Sequence, residues 1–186
     1  QGWFDQIANE AVFIQNAEII SESQILRGDT IQYDEDQKIG ISKCNVAVID
    51  TAEHFEVTGD FAFYNEVDST TYVTENMLMM QDMDGDTFYL AADSMYSTYD
   101  TNGSRLVKTY HHTRFYKSDM QGICDSLVYN TTDSMIYMFS NPVLWSEGSQ
   151  MKADSVKLQM KNDVLDRMFM DQNAFIVSHD DSIYYN

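Results

Sequence analysis

Asp82-Met83-Asp84-Gly85-Asp86 is the stretch whose residue types come closest to a site for chemistry. Alternating carboxylates ahead of a glycine open a calcium loop, where oxygens at odd positions and a sharp glycine turn wrap the ion. Counted from Asp82, the twelfth position, where such a loop needs a bidentate glutamate, is Asp93. The flanks alternate as strands do, so a hairpin turn is the stronger reading. His111-His112 is a second candidate. Adjacent residues of a strand point to opposite faces, which leaves the pair poorly placed to share one ion. His54 and His179 stand alone. Thirty acidic residues supply carboxylate pairs everywhere, but nothing selects one pair as the acid and base of a glycosidase. No Gly-x-Ser-x-Gly elbow, phosphate-binding loop, dinucleotide fingerprint or Cys-x-x-Cys occurs. Asn130-Thr131-Thr132 fits a glycosylation acceptor and is read as a turn. The expectation is a non-enzymatic chain with no metal site and no cofactor.

What the chain does contain is a repeat, and a fixed period governs everything read after it. A small residue, then Asp, then alternating apolar positions recurs at Gly28-Asp29, Gly59-Asp60, Ala92-Asp93, Cys124-Asp125 and Ala153-Asp154. Successive Asp positions differ by 31, 33, 32 and 29 residues. Between them falls a second phrase, Asn followed by an apolar residue, at Asn16-Ala17, Asn45-Val46, Asn76-Met77, Asn141-Pro142 and Asn173-Ala174. His112 holds the equivalent place in the fourth unit, 13 residues before Asp125, as Asn16 precedes Asp29 and Asn141 precedes Asp154.

Within each unit period two dominates: Ile31/Tyr33, Val46/Val48, Phe61/Phe63, Met77/Met79, Leu127/Tyr129, Val143/Trp145 and Val156/Leu158 all alternate. Turn signals such as Asp34-Glu35-Asp36, Asp100-Thr101-Asn102-Gly103 and Glu147-Gly148 separate them. Glu10 to Ile20 reads as strand because Asn16 sits where the repeat expects it, with a short helical turn over residues 5–9. One unit of about 30 residues cannot bury its own apolar face, and stacking units buries a continuous strip. Hairpin turns imply antiparallel neighbours. The expected fold is all-β: one long antiparallel sheet of repeats folded over on itself, a single domain over residues 1–186.

The chain has 186 residues and a formal charge of −19. That charge argues against nucleic acid, whose binding needs Lys and Arg to replace counterions, and against an anionic membrane surface; it suits a well-solvated exterior. No run approaches the roughly 18 apolar residues of a membrane span. No basic segment leads an apolar one at the start, so an export signal is expected to be absent from this chain. His179 to Asn186 reads as another strand beginning, so the chain is expected to be a fragment of a longer one with an open edge at Ser182–Asn186. Cys44 and Cys124 fall in units one and four, far apart in a stacked array, and are expected as buried free thiols.

The phrases Gly-Asp-x-apolar-x-Tyr-Asn and Asn-Val-x-apolar resemble the OstA/LptA-like family, the lipopolysaccharide-transport β-jellyroll also called organic-solvent-tolerance protein. His111-His112-Thr113-Arg114-Phe115-Tyr116-Lys117-Ser118-Asp119-Met120-Gln121-Gly122 followed by Cys124-Asp125-Ser126, and Pro142-Val143-Leu144-Trp145-Ser146, are similar to the version in Bacteroides-type bacteria. The resemblance covers roughly residues 10–186. It implies a twisted, elongated antiparallel jellyroll in the periplasm that holds lipid acyl chains in an apolar channel. It further implies lipopolysaccharide or another acylated lipid as ligand, and end-to-end stacking with itself or with other proteins of a transport bridge.

Parity within strands supplies the candidate lining of that channel: Ile31, Tyr33, Val46, Val48, Met77, Met79, Leu127, Tyr129, Val143, Trp145, Val156 and Leu158. A buried methylene contributes ~0.8 kcal/mol, so a tail of about twelve carbons offers on the order of 10 kcal/mol before ordering costs. Repulsion from exposed carboxylates is screened beyond about 8 Å at physiological salt, so the apolar term outweighs it wherever the strip is not filled by its own side chains. Two other functions fit the same residues. With 24 aromatics, outward-facing rings would make a surface repeat that binds carbohydrate or protein, and a filled, dry interior would make a structural spacer.

Overall fold

A computed structural model describes residues 1–6, 9–20, 24–52, 54–83, 85–162 and 164–178. Among the described residues fifteen strands follow in chain order: β1 (Gly2–Asp5), β2 (Glu10–Ile20), β3 (Gln24–Asp34), β4 (Ile39–Asp50), β5 (Phe55–Asn65), β6 (Thr70–Met83), β7 (Asp86–Tyr99), β8 (Arg105–Lys117), β9 (Met120–Asn130), β10 (Met135–Phe139), β11 (Val143–Ser146), β12 (Ser149–Lys152), β13 (Ser155–Lys161), β14 (Val164–Asp171) and β15 (Phe175–Ser178). Each pairs antiparallel with its neighbour through β10, and the sheet does not close on itself. There is no helix among the described residues. The helical turn expected over residues 5–9 is not seen where the chain is described: Asp5 ends β1, which pairs with β2, and residues 7 and 8 lie outside the described set. The open edge expected at Ser182–Asn186 and the lone His179 lie outside it too.

The two sequence phrases are the two sides of a corner. Consecutive residues take positive φ at Gln15-Asn16 (67° and 55°), Cys44-Asn45 (58° and 51°), Glu75-Asn76 (61° and 61°), His111-His112 (62° and 52°), Ser140-Asn141 (63° and 58°) and Gln172-Asn173 (59° and 48°). Left-handed backbone is costly for L-residues and least so for Asn, so Asn marks the bend. On the neighbouring strand the small-Asp pair lies opposite, and the ladder skips there, between Arg27 and Thr30, Thr58 and Phe61, and Ala91 and Ser94. The small residue is needed because a side chain would strike the next strand: a Cβ on Gly59 would lie 2.9 Å from the Thr74 carbonyl oxygen. The carboxylates take up the Asn amides. Asn45 Nδ2 donates to Asp29 at 2.8 Å, Asn76 Nδ2 to Asp60 at 2.6 Å and Asn173 Nδ2 to Asp154 at 2.9 Å. His112 Nδ1 lies 2.9 Å from Asp93, and His111 Nδ1 3.3 Å from Asp125.

Every long strand therefore belongs to two leaves hinged along this line of corners. The first leaf holds β1, residues 10–14, 30–34, 39–43, 61–65, 70–74, 94–99, 105–110 and 126–130, with β10, β13 and β14. The second holds the other halves, with β11, β12 and β15. Between the leaves lies one apolar core running from Val46 to Met160. Phe88 of the second leaf sits 6.2 Å from the Tyr129 ring of the first and 5.7 Å from Phe115 beside it. Cys124 is buried in this core, and burial pushes its thiol up to about 12. Cys44 corrects the expectation of two buried thiols: it is exposed, because the left-handed corner turns it outward.

Two cations are drawn inside. Arg105, at the start of β8 in the first leaf, reaches across to Asp50 at the end of β4 in the second, Nη1 to Oδ2 at 3.1 Å, with both side chains nearly buried. Its guanidinium covers the Phe55 ring at 5.0 Å and donates to Tyr99 Oη at 2.9 Å. Lys117 is buried against Asp86 at 3.0 Å and Asp119 at 3.2 Å. Burial works against its charge, but the hydrogen bonds and charges of the two carboxylates outweigh it and raise its pKa. Asp86 is held below the usual carboxylate range by hydrogen bonds from Ser118 and then Lys117.

Candidate functional site

The leaves meet over a filled core along most of their length and part at the N-terminal end. There an apolar cavity of about 200 Å³ lies between Ile19, Ile25, Leu26 and Val48 of the second leaf and Tyr33, Ala62 and Tyr64 of the first. A second hollow of about 350 Å³ continues it past Phe55 and Val57 towards Met95, Tyr99 and Arg105, sharing Gln24, Val48, Tyr64, Glu66 and Thr71 with the first. Ligand pockets typically span roughly 300–1,000 Å³, so the two together form a groove of ligand size. Small residues hold it open: Gly40 and Ala62 lie where the sheet could carry larger side chains.

The mouth is polar. Tyr33 Oη donates to Glu66 Oε2 at 2.6 Å. Burial and that carboxylate push the Tyr33 hydroxyl up to about 12, and burial followed by the Glu66 charge raises Tyr64. The hydroxyls therefore stay protonated and act as donors. Gln24 Nε2 donates to Asp50 Oδ2 at 3.2 Å beside Arg105, so the crossing Arg105–Asp50 pair spans the far end of the groove. Its ends belong to different leaves, and it fixes how far they part.

Of the twelve residues expected to line a channel, two face this groove, Tyr33 and Val48. Ile31, Val46, Met77, Met79, Leu127, Tyr129, Val156 and Leu158 point inward as parity predicts but are packed shut, each at most 5% exposed. Val143 and Trp145 do not share that face. Leu144 between them is the buried residue, at 0%, and pairs with Gly122 and Met151. The reason lies in the corner. After each Asn or His112 the first and third residues point in, as Val46 and Val48, Met77 and Met79, and Thr113 and Phe115 do; after Asn141 these are Pro142 and Leu144. After each Asp the second and fourth point in, as Ile31 and Tyr33 or Leu127 and Tyr129 do. That rule was present in the repeat phrases and would have placed Leu144. The same count places Ile19, Ala62 and Tyr64 inward, but only the gap between leaves makes them, with Ile25 and Leu26, lining residues.

The ion-binding candidates are committed elsewhere. Asp82 accepts the Gly85 amide at 2.9 Å, as a turn residue does. Asp86 takes Lys117 and Ser118, Asp93 takes His112, and Asp84 lies outside the described residues. His111 and His112 turn to different carboxylates. His54 is exposed. Asn130 caps the following turn, accepting the amides of Thr132 and Asp133 at 3.1 Å each. No group of three His, Cys, Asp or Glu is placed to hold a metal among the described residues, and no helix there is long and apolar enough to cross a membrane.

No family model matches the chain, and no curated protein matches it. Among solved structures it is similar to the crystal structure of LptH from Pseudomonas aeruginosa, described as the LptA-homologous periplasmic component of the conserved lipopolysaccharide transport device. The two superpose with a TM-score of 0.60 at 10% identity, over 69% of this chain and 97% of that one. Identity that low speaks for backbone architecture, and the architecture agrees in kind with the open, folded-over sheet described above. The chain has the LptA-like β-jellyroll fold.

Proposed function

We propose that this chain binds an acylated lipid without catalysing a reaction on it, the tail lying in the interleaf groove at the N-terminal end. The observation that carries this reading is the groove itself: the leaves close on a packed core from Met77 to Met160 but leave Ile19, Ile25, Leu26, Val48 and Ala62 lining an apolar gap. Tyr33 and Val48 of the predicted lining contact the tail directly, while the inward residues of that set from Met77 to Leu158 belong to the filled core beyond the groove. Lipopolysaccharide in the periplasm is the ligand and place that the LptA-like fold favours, as part of a transport bridge.

End-to-end assembly, with itself or other bridge proteins, fits the two ends of the sheet. Trp3, Phe4 and Ile20 are exposed on the first edge, and Phe169, Phe175 and Ile176 on the last. Open edges carrying apolar side chains are templates for further strand pairing.

The test is titration with a fluorescent fatty-acyl probe. Leu26→Asp puts a carboxylate on the half-buried wall of the groove, and far-UV circular dichroism checks that the variant keeps its fold before binding is compared. We expect binding weakened at least about tenfold, equivalent to 1.4 kcal/mol, while Val128→Asp on the outer face leaves it unchanged. Equal binding by the Leu26→Asp variant, or no saturable binding by the native chain, would overturn the proposal.

A further inference from the structure

The outer face of the second leaf carries a feature that the lipid groove does not use. Register places Tyr89, Tyr116, Gln121 and Trp145 side by side on β7, β8, β9 and β11. Two residues along, Ala91, Arg114, Ile123 and Val143 form the next row. Strands lie about 4.8 Å apart and alternate residues about 6.7 Å apart, so the eight positions make a grid on one flat face. Tyr89 and Tyr116 stand with ring centroids 6.4 Å apart, and Tyr116 and Ile123 are about half exposed. All of these positions but Val143 border an open hollow of about 380 Å³. Large exposed apolar patches on soluble chains mark contact sites.

The polar groups there say what kind of contact. In a chain of charge −19, no carboxylate among the described residues lines this hollow. Arg114 is exposed, and its guanidinium takes no hydrogen bond or ion pair among the described residues; the same holds for the Gln121 amide and the Trp145 indole N–H. Tyr and Trp each present an apolar ring with a donor at its tip, and a guanidinium fork matches a carboxylate or other oxyanion. The hollow thus offers ring faces for stacking, a surplus of donors, and one positive charge.

The geometry points to a binding site for an acidic oligosaccharide on this outer face. Pyranose C–H faces stack on Tyr116 and Trp145, ring hydroxyls accept from Gln121 and the indole N–H, and the acidic group pairs with Arg114. The site is on the far side of the leaf from the groove, so the two can be tested apart.

The experiment uses the full chain carrying Trp3→Phe, which leaves Trp145 as its one tryptophan, titrated with tetragalacturonate and with neutral cellotetraose. We expect saturable change in Trp145 fluorescence with tetragalacturonate, weaker binding of cellotetraose, and loss of that preference in Arg114→Gln. Tyr116→Ala should weaken binding about tenfold, the loss expected from truncating an aromatic anchor. If Tyr116→Ala fails to fold by circular dichroism, the Arg114→Gln arm decides alone. No saturable change with tetragalacturonate, or with sulfated or phosphorylated tetrasaccharides, at millimolar concentration overturns the proposal. Unchanged binding in Tyr116→Ala does so too. Light scattering that shows self-association lost in Arg114→Gln would make this face a contact between copies, and would overturn it equally.

Discussion

Leu144→Ala should destabilise the chain several times more than Val143→Ala, although the two residues are neighbours of similar hydrophobicity. Leu144 is 0% exposed and packs between the leaves opposite Gly122 and Met151. Truncating a fully buried leucine costs about 2–5 kcal/mol, the upper end applying where the surroundings cannot collapse. Phe115 and Met138 lie over Gly122, and how far they shift into the space sets where in that range the loss falls. Val143 faces outward and is half-buried, so its truncation removes only cross-strand contacts worth about 0.2–1 kcal/mol. For a chain of this length each kcal/mol moves the melting temperature by roughly 2–4 °C. Leu144→Ala should then melt about 4–20 °C below the native chain and Val143→Ala less than about 4 °C below. Thermal unfolding followed by far-UV circular dichroism separates the two. A larger loss for Val143→Ala would refute both the assigned face and the corner rule behind it.

Three further outcomes follow from charges and thiols. Arg105→Met or Asp50→Leu alone should cost about 3–5 kcal/mol by stranding a buried charge, while the double variant recovers much of it; chemical denaturation of the three variants checks this. The clamp of Lys117 on Asp86 should be stabilising between its two titrations. The raised Lys117 pKa contributes stability that is present below its ordinary 10.5 and lost as pH rises through the folded value, and the lowered Asp86 pKa contributes stability present above 3.8 and lost as pH falls through the folded value. Lys117→Met should flatten the stability profile at both ends, and an unchanged profile would refute the clamp. With the chain native, a thiol reagent should modify Cys44 and spare Cys124 at neutral pH, since the latter is buried with its pKa pushed up to about 12; equal labelling would contradict the corner geometry.

The repeat was legible because its demands are local. A left-handed pair of residues favours Asn at the bend, the facing strand needs a small residue, and the Asp beside it accepts the Asn amide. Those needs recur at every corner and write themselves into residue types at Asn45 and Asp29 or Asn76 and Asp60. Alternation between corners gave the strands, and β2 runs from Glu10 to Ile20 as the placement of Asn16 implied. The inward face followed from parity where it was counted from a corner. It failed at Val143 and Trp145, where two bulky residues suggested a buried pair and the count from Asn141 said otherwise.

Whether the inward strip is lining or filling was not legible. Met77, Met79, Leu127 and Leu158 look the same in sequence whether a lipid or another leaf covers them. What decides is the sum of side-chain volumes brought together from strands far apart in the chain: Phe88, Phe115 and Tyr129 fill the space between leaves at one end, and Gly40 and Ala62 leave it open at the other. Local residue preferences set by backbone geometry and alternation thus fixed the repeat, the bend and the all-β class, while packing between distant strands, which no single unit encodes, placed the groove.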